Sequence, residues 1–424
     1  MNDPNGLSFI DGIWHACYQH NPDDDVWGPM HWRHATSPDL VTWTDHGIVL
    51  WPGPLGMAYS GSVVVDELDT AGFGAGARVA VFTLDLHHDQ RQGLAWSADG
   101  FTWTPYDGNP VLADPGEKHF RDPKVVWLED RWVMVLGVGP EIRFYSSPDL
   151  KRWEPTGVHR PDPPPTNPIE CPDLVRLRTD AGEDCWLLIY GDDRGGATDH
   201  SSTWGVTGRF DGATFEPLAQ PTYLDHGPDF YAAQTFHGLP VGEPPIVMAW
   251  MNSWQYANEH PSSGRRGVQS LPRALSVDSL ADPVVRSRPG VDLDALFTEP
   301  YIGGRDGPAG PAGPVLVTGT EFNLAVTSAH GTAVGVRSDG STAVLDRPGI
   351  PGLDDLAVTA QVPTGGGPVS VLVDHGTIEV FTACGKTIAA LVFPGAQWAV
   401  ETAGDTRAGT LGVGVEGESQ LHQG

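Results

Sequence analysis

A short pattern returns four times along the first half of the chain, and it limits the fold more than any other feature. Ser37-Pro38-Asp39-Leu40-Val41-Thr42-Trp43 is echoed by Ser97-Ala98-Asp99-Gly100-Phe101-Thr102-Trp103 and by Ser147-Pro148-Asp149-Leu150-Lys151-Arg152-Trp153. A looser copy is Phe210-Asp211-Gly212-Ala213-Thr214-Phe215. The copies are spaced by about 50 to 60 residues, the length that a four-stranded sheet with its turns requires, so each marks one blade of a β-propeller. In each copy the Asp is expected to cap a turn and the aromatic ring to pack beneath it. The stretch from Asp3 to about Leu293 has room for five blades.

The sequence between the copies agrees. Runs such as Gly61-Ser62-Val63-Val64-Val65, Lys124-Val125-Val126-Trp127-Leu128 and Trp186-Leu187-Leu188-Ile189-Tyr190 are strand-like, and helical periodicity is nearly absent. The 38 Pro and 53 Gly suit many tight turns. The chain is therefore all-β. Composition shifts near residue 300, where Gly303-Gly304-Arg305-Asp306-Gly307-Pro308-Ala309-Gly310-Pro311 reads as a linker. Beyond it the only Trp is Trp398, and Val369–Asp374 and Thr377–Phe381 flank His375-Gly376 as a hairpin. The expected organisation is a propeller over residues 1–295 and a β-sandwich over 305–424. The sandwich is expected to contribute packing, stability or peripheral carbohydrate contact.

Lys plus Arg total 25 against 54 Asp plus Glu, a formal charge of −29. Such a chain repels nucleic acid and anionic membrane surfaces, and both are set aside as partners. A neutral substrate is compatible with it. No apolar run approaches the length of a membrane-spanning helix, and no signal peptide is visible. The four Cys form no metal pattern and no disulfide framework. The pair His87-His88 lacks a third ligand at useful spacing. The chain opens abruptly on a motif without a lead-in strand, the expectation being a processed product or a start codon placed too far downstream. A secreted location is the preferred expectation, with the cytoplasm as the alternative. Nothing specifies an oligomeric state.

A propeller gathers its innermost strands around one axial funnel, so acids far apart in sequence can meet there. Asp3, Asp122 and Glu170 each lie close to a Pro and beside an apolar strand, in different expected blades. Two carboxylates across a scissile bond are the arrangement of glycoside hydrolysis: one attacks the anomeric carbon, the other protonates the leaving oxygen and then activates water. Glu suits the second role where reach and a raised pKa help. A third acid would hold sugar hydroxyls. The competing reading makes Arg121-Asp122 a structural ion pair and Glu170 a surface acid after the Pro-rich loop.

At this point the residues resemble glycoside hydrolase family 32, the invertase, inulinase and levanase group. Met1-Asn2-Asp3-Pro4-Asn5-Gly6 matches its opening motif, and Tyr18-Gln19-His20-Asn21-Pro22 resembles the next, with His20 where an aromatic is common. Trp27–Ala35, Tyr59-Ser60-Gly61-Ser62, Phe120-Arg121-Asp122-Pro123, Glu170-Cys171-Pro172, Asp229-Phe230-Tyr231-Ala232 and Trp250–Asn258 follow in order. Leu271-Pro272-Arg273 closes the propeller, so the match spans all of it. The resemblance implies a five-bladed propeller with a C-terminal β-sandwich, a retaining mechanism on β-fructofuranosidic bonds of fructan or sucrose, and no metal or organic cofactor. Carried over by position, Asp3 is the nucleophile, Glu170 the acid/base and Asp122 the transition-state stabiliser. Asn2, Gln19, Trp27, Ser60 and Arg121 would line the fructose pocket, with Tyr231, Trp250 and Trp254 in its wall. The Trp250–Asn258 stretch looks most like exo-acting levanases and inulinases.

Two stretches depart from the family's pattern: Ser263–Gly267, with Arg266 where Trp is frequent, and Thr83–Arg91. Both are expected to shape the pocket rim. Three alternatives stay open: transfer or endo action on the same scaffold, a carbohydrate-binding propeller without turnover, and an arabinan- or xylan-cleaving propeller. The opening motif and the Glu-Cys pair argue against the last.

Overall fold

The computed structural model describes residues 1–194, 198–262, 264–301, 313–328, 331–353, 356–395 and 398–411. Ser263 and the expected linker over 303–311 lie outside them. Five antiparallel sheets follow one another along the chain. The first strand of each, Pro4–Ile10, Met57–Asp66, Phe120–Leu128, Glu170–Arg178 and Tyr231–Thr235, lies innermost, and these five strands touch in a ring. Blade one closes that ring against blade five: Phe9 N–H donates to the His237 carbonyl at 2.7 Å, and His237 N–H donates to Leu7 at 2.9 Å. The expected five-bladed propeller is present.

The repeat is now explained. It forms the turn between the third and fourth strands of a blade. Asp39 Oδ1 accepts from the N–H groups of Val41 and Thr42 at 2.9 and 2.7 Å. Asp99, Asp149 and Asp211 bind the same two following N–H groups. The residue after the Asp is left-handed in all four copies, at Leu40, Gly100, Leu150 and Gly212. The Trp43 and Trp153 indoles donate to the Leu40 and Leu150 carbonyls beneath. Such a turn holds only when the Asp replaces the hydrogen bonds that a strand would have supplied.

Each blade packs a face against the next. Trp32 and Cys17 of blade one meet Val63 and Phe82 of blade two, and Leu7 and Tyr18 meet Phe236 and Met248 of blade five. The middle strands are buried on both faces, which is why Trp132–Val138 is apolar throughout rather than alternating. Each such Val, Leu or Phe contributes roughly 1.5–3 kcal/mol.

A nine-stranded sheet follows and folds over a valine-rich core that includes Val317, Val326, Val371 and Ile378. The resulting sandwich is nearly closed, because Val315–Ser328 pairs with Gly331–Asp339, Val369–Asp374 and Trp398–Thr410. The short strand Glu299–Pro300 also pairs with Trp398–Thr410. The hairpin at His375-Gly376 forms as expected, with Asp374 paired to Thr377. The sandwich docks on blades four and five. Arg273, fully buried, pairs with Asp225 at 2.8 Å and with Glu379 at 2.7 Å. The one helix among the described residues is the single turn Leu293–Leu296, capped by Asp292, so none is long and apolar enough to cross a membrane.

Candidate active site

All five inner strands break their pairing register near one end. The slips fall at Asn5/Ser8, Ala58/Gly61, Glu170/Asp173 and Tyr231/Gln234, and opposite Arg121–Lys124 in blade three. Four of these bulges hold a residue at positive φ: Gly6 at 53°, Asp122 at 65°, Cys171 at 46° and Ala232 at 53°. Gly6 has a second constraint, since a Cβ there would lie 2.7 Å from Val63. A bulge re-aims the side chains that follow it. Three left-handed non-glycine residues at one end of a barrel-like ring mark backbone strain held in place by the surrounding packing.

The bulges bring the three acids to one cleft of about 320 Å³. Asp3 enters beside the start of blade one, where Gln19 N–H donates to its carbonyl at 2.9 Å and Gln269 Nε2 to the neighbouring Asn2 carbonyl at 2.6 Å. Its carboxylate accepts from Ser60 Oγ at 2.6 Å and from Asn2 Nδ2 at 3.1 Å. Asp122 is buried and accepts from Cys171 N–H at 3.0 Å. The Cys171 thiol touches both acids, 3.5 Å from Asp3 Oδ2 and 3.7 Å from Asp122 Oδ2. Arg121 reaches across from blade three to donate to Glu170 Oε1 at 2.5 Å, with its Nε 3.8 Å from Asp122. Tyr231 donates its hydroxyl to Glu170 Oε2 at 2.7 Å, and the Trp254 side chain is also a hydrogen-bond partner of Glu170.

These surroundings separate the acids. Burial lifts the Asp3 carboxyl above its ordinary range; Ser60 pulls it back, and the Glu170 charge adds to the rise. Burial pushes Asp122 up to about 7, opposed by Arg121 and reinforced by Glu170 and Asp3. Burial also raises Glu170, but the Arg121 charge and the bonds from Arg121, Tyr231 and Trp254 together outweigh it and hold the carboxyl below its ordinary value. This is the reverse of the raised pKa expected for Glu170. The reason is Arg121, whose side chain arrives from a neighbouring blade.

Asn2, Gln19, Trp27, Ser60, Arg121 and Trp254 all line the cleft. Trp27 stands at its mouth, 42% exposed and edge-on to Tyr59. Tyr231 and Trp250 do not form its wall. Both are buried, Tyr231 behind Glu170 and Trp250 behind Trp254, with the indole centroids 4.9 Å apart. The bulge at Tyr231/Gln234 resets the alternation from which an inward face would be assigned.

Further lining residues were not singled out from sequence: Met30, Tyr59, Gln90, His119 and Asn258. Met30, Tyr59 and Asn258 sit inside the motifs Trp27–Ala35, Tyr59–Ser62 and Trp250–Asn258, and Asn258 Oδ1 accepts from Trp27 N–H at 2.8 Å, joining two rim loops. His119 Nδ1 accepts from Arg121 at 2.7 Å. The unusual Thr83–Arg91 stretch does reach the rim through His88. His87 and His88 are both left-handed there, a conformation usually left to Asn-Gly. Arg266 is set back from the cleft and pairs with Asp25 at 2.6 Å.

Comparison with known proteins agrees with this architecture. The model of the glycosyl hydrolases family 32 N-terminal domain matches residues 1–289. The chain is 39% identical over 310 residues to a levanase of Bacillus subtilis (strain 168), covering 70% of this chain and 46% of that one. It thus spans about half the length of that relative. It is 32% identical over 433 residues to a levanbiose-producing levanase of the same organism, covering 91% of this chain and 82% of that one. Among solved structures, an exo-inulinase from Aspergillus awamori superposes with a TM-score of 0.84 at 29% identity, over 96% of this chain and 95% of that one. With the family model matched over more than half of its length, the chain belongs to glycosyl hydrolase family 32.

Proposed function

We propose that the protein is a retaining β-fructosidase that releases fructose from levan, inulin or sucrose. The observation that carries this reading is the convergence of Asp3, Asp122 and Glu170, from three blades, on one cleft with an exposed Trp27 at its mouth. Asp3 attacks the anomeric carbon as the bond to the leaving oxygen breaks, and Glu170 transfers its proton to that oxygen. Glu170, now a carboxylate, takes a proton from water. The hydroxide attacks the same carbon and releases Asp3. Asp122 accepts hydrogen bonds from sugar hydroxyls that strengthen as positive charge develops on the ring. Arg121 holds Glu170 ionised as the side chains stand. Sugar hydroxyls that draw Arg121 toward themselves weaken that pair and let Glu170 hold the proton it must donate.

In this reading residues 1–295 form the catalytic unit and 305–424 its support, and the protein works outside the cell. The extracellular exo-inulinase of Meyerozyma guilliermondii, 37% identical over 329 residues, supports that location. A second reading is favoured by the length shared with the levanbiose-producing enzyme, namely release of a disaccharide. Incubation with levan, inulin and sucrose separately, with products resolved by chromatography and Glu170→Ala alongside, decides between them. Free fructose that is lost in the variant supports the exo-hydrolase. Levanbiose or longer products move the assignment to the second reading, and no product from any of the three overturns both.

A further inference from the structure

Two of the donors to Glu170, Tyr231 and Trp254, come from separate stretches of blade five. Tyr231 follows Asp229 and Phe230, and Trp254 lies in the turn that runs to Tyr256. Neither stretch is secured by the propeller alone. Both are fastened to one side chain of the sandwich. Arg347, the last residue of the strand Thr342–Arg347, is fully buried. Its Nη1 donates to Asp229 Oδ2 at 3.1 Å, to the Tyr256 hydroxyl at 3.3 Å and to the Leu391 carbonyl at 3.3 Å. The Tyr256 hydroxyl in turn donates to the second oxygen of Asp229, and Leu391 N–H donates to Asp229 Oδ2 at 2.8 Å. The guanidinium also faces the Tyr256 ring, 5.3 Å from its centroid. One cation thus closes a triangle whose two other corners lie two residues from Tyr231 and two residues from Trp254.

We infer that Arg347 is a positioning residue for the acid/base: from outside the propeller it sets the two segments that present Tyr231 and Trp254 to Glu170. This rests on the role proposed for Glu170. A fixed donor gives a carboxylate a full hydrogen bond, and a donor free to move by half an ångström gives much less. Tyr231 and Trp254 both favour the ionised form of Glu170. Loosening them therefore raises the pH at which Glu170 gives up its proton. The other titratable groups that face Glu170 are Asp3, Tyr59, His119, Arg121, Asp122, Cys171 and Asp193, and none of them bonds to Arg347.

The test uses Tyr256→Phe, which removes the hydroxyl corner with its ring kept, and Arg347→Lys. The interface control is Glu379→Gln, which weakens the Arg273 pair and touches neither segment. The Glu170 carboxyl is titrated directly in the full chain by carbon-13 NMR, its signal assigned by its loss in Glu170→Gln. The expected result is an upward shift of the Glu170 midpoint by about half a unit or more in Tyr256→Phe and Arg347→Lys, and none in Glu379→Gln. In turnover, kcat falls about tenfold with KM nearly unchanged, and the alkaline limb of the kcat profile moves up. An unmoved Glu170 midpoint in both variants, with a melting temperature lowered as in Glu379→Gln, would make Arg347 a structural staple only and overturn the inference. Because the titration needs no substrate, it is decided separately from whether the chain turns over a fructan.

Discussion

The propeller and the sandwich are built from the same secondary structure and both contain register slips, yet among the described residues only the propeller holds non-glycine residues at positive φ. In the sandwich, Val358–Pro363 alternates buried and exposed residues without a break, while the long strand Val315–Ser328 slips at Gly319/Phe322 and Val326/Thr327 with no described non-glycine residue at positive φ. In the propeller every inner strand slips register at one end, and three non-glycine residues there take positive φ. Regular alternation suffices to bury a face. It cannot aim carboxylates from three strands at one point, because successive side chains leave a strand on opposite sides. Left-handed non-glycine backbone is thus confined, among the described residues, to the propeller: in blade turns such as those at Leu40 and Leu150, and at Asp122, Cys171 and Ala232 around the funnel, where the chemistry is proposed to lie.

Substitutions can sharpen that contrast. The largest effect is expected at the funnel without loss of fold. Asp3→Asn keeps the volume and the Ser60 contact but removes the proposed nucleophile, so kcat/KM should drop by on the order of 10⁴-fold or more with an unchanged circular dichroism spectrum. At the interface the order is reversed. Arg273→Met leaves Asp225 and Glu379 buried without their cation, and should lower unfolding stability by about 3–5 kcal/mol in chemical denaturation while leaving kcat of the folded fraction within a fewfold.

Asp122→Asn links the two kinds of test. Burial pushes the Asp122 carboxyl up to about 7 in the folded chain, against an ordinary 3.8. Between those values the folded chain keeps a proton that the unfolded chain has released, so the Asp122 contribution to stability falls as pH rises from about 4 to about 7. Asp122→Asn abolishes that slope. Relative to the parent it should be more stable at pH 8 than at pH 4, by on the order of 4 kcal/mol, as urea midpoints at the two pH values would report. The smallest effect is expected far from the funnel. Asp39→Ala removes the two N–H acceptor bonds of the first repeat turn and should cost about 1 kcal/mol of stability with no change in activity.

The blade count was legible because Asp39, Asp99, Asp149 and Asp211 each replace the same hydrogen bonds, and such a turn tolerates few other sequences. The acids were legible for a related reason. Each adjoins a bulge, and Pro4, Pro123 and Pro172 mark those bulges in the chain. Facing within a bulged strand was not legible. Tyr231 and Trp250 therefore read as wall, whereas one is a donor to Glu170 and the other lies behind Trp254. The direction of the Glu170 shift was hidden too, since it depends on an Arg121 side chain reaching over from another blade. Arg347 stood out least of all. A lone Arg at the end of a sandwich strand looks like surface until its partners Asp229 and Tyr256, about 90 to 120 residues away, are found around it.

The proposed mechanism turns on a covalent bond between Asp3 and the sugar. The most direct test incubates Glu170→Ala with a fructoside bearing a leaving group that needs no protonation, quenches in acid, digests, and sequences the N-terminal peptide by mass spectrometry. Intermediate formation then proceeds while its hydrolysis, deprived of the base, is slow. One fructosyl group on Asp3, absent from Asp3→Asn, is the expected result. An adduct on another residue, or steady release of the leaving group with no adduct on Asp3, would contradict it.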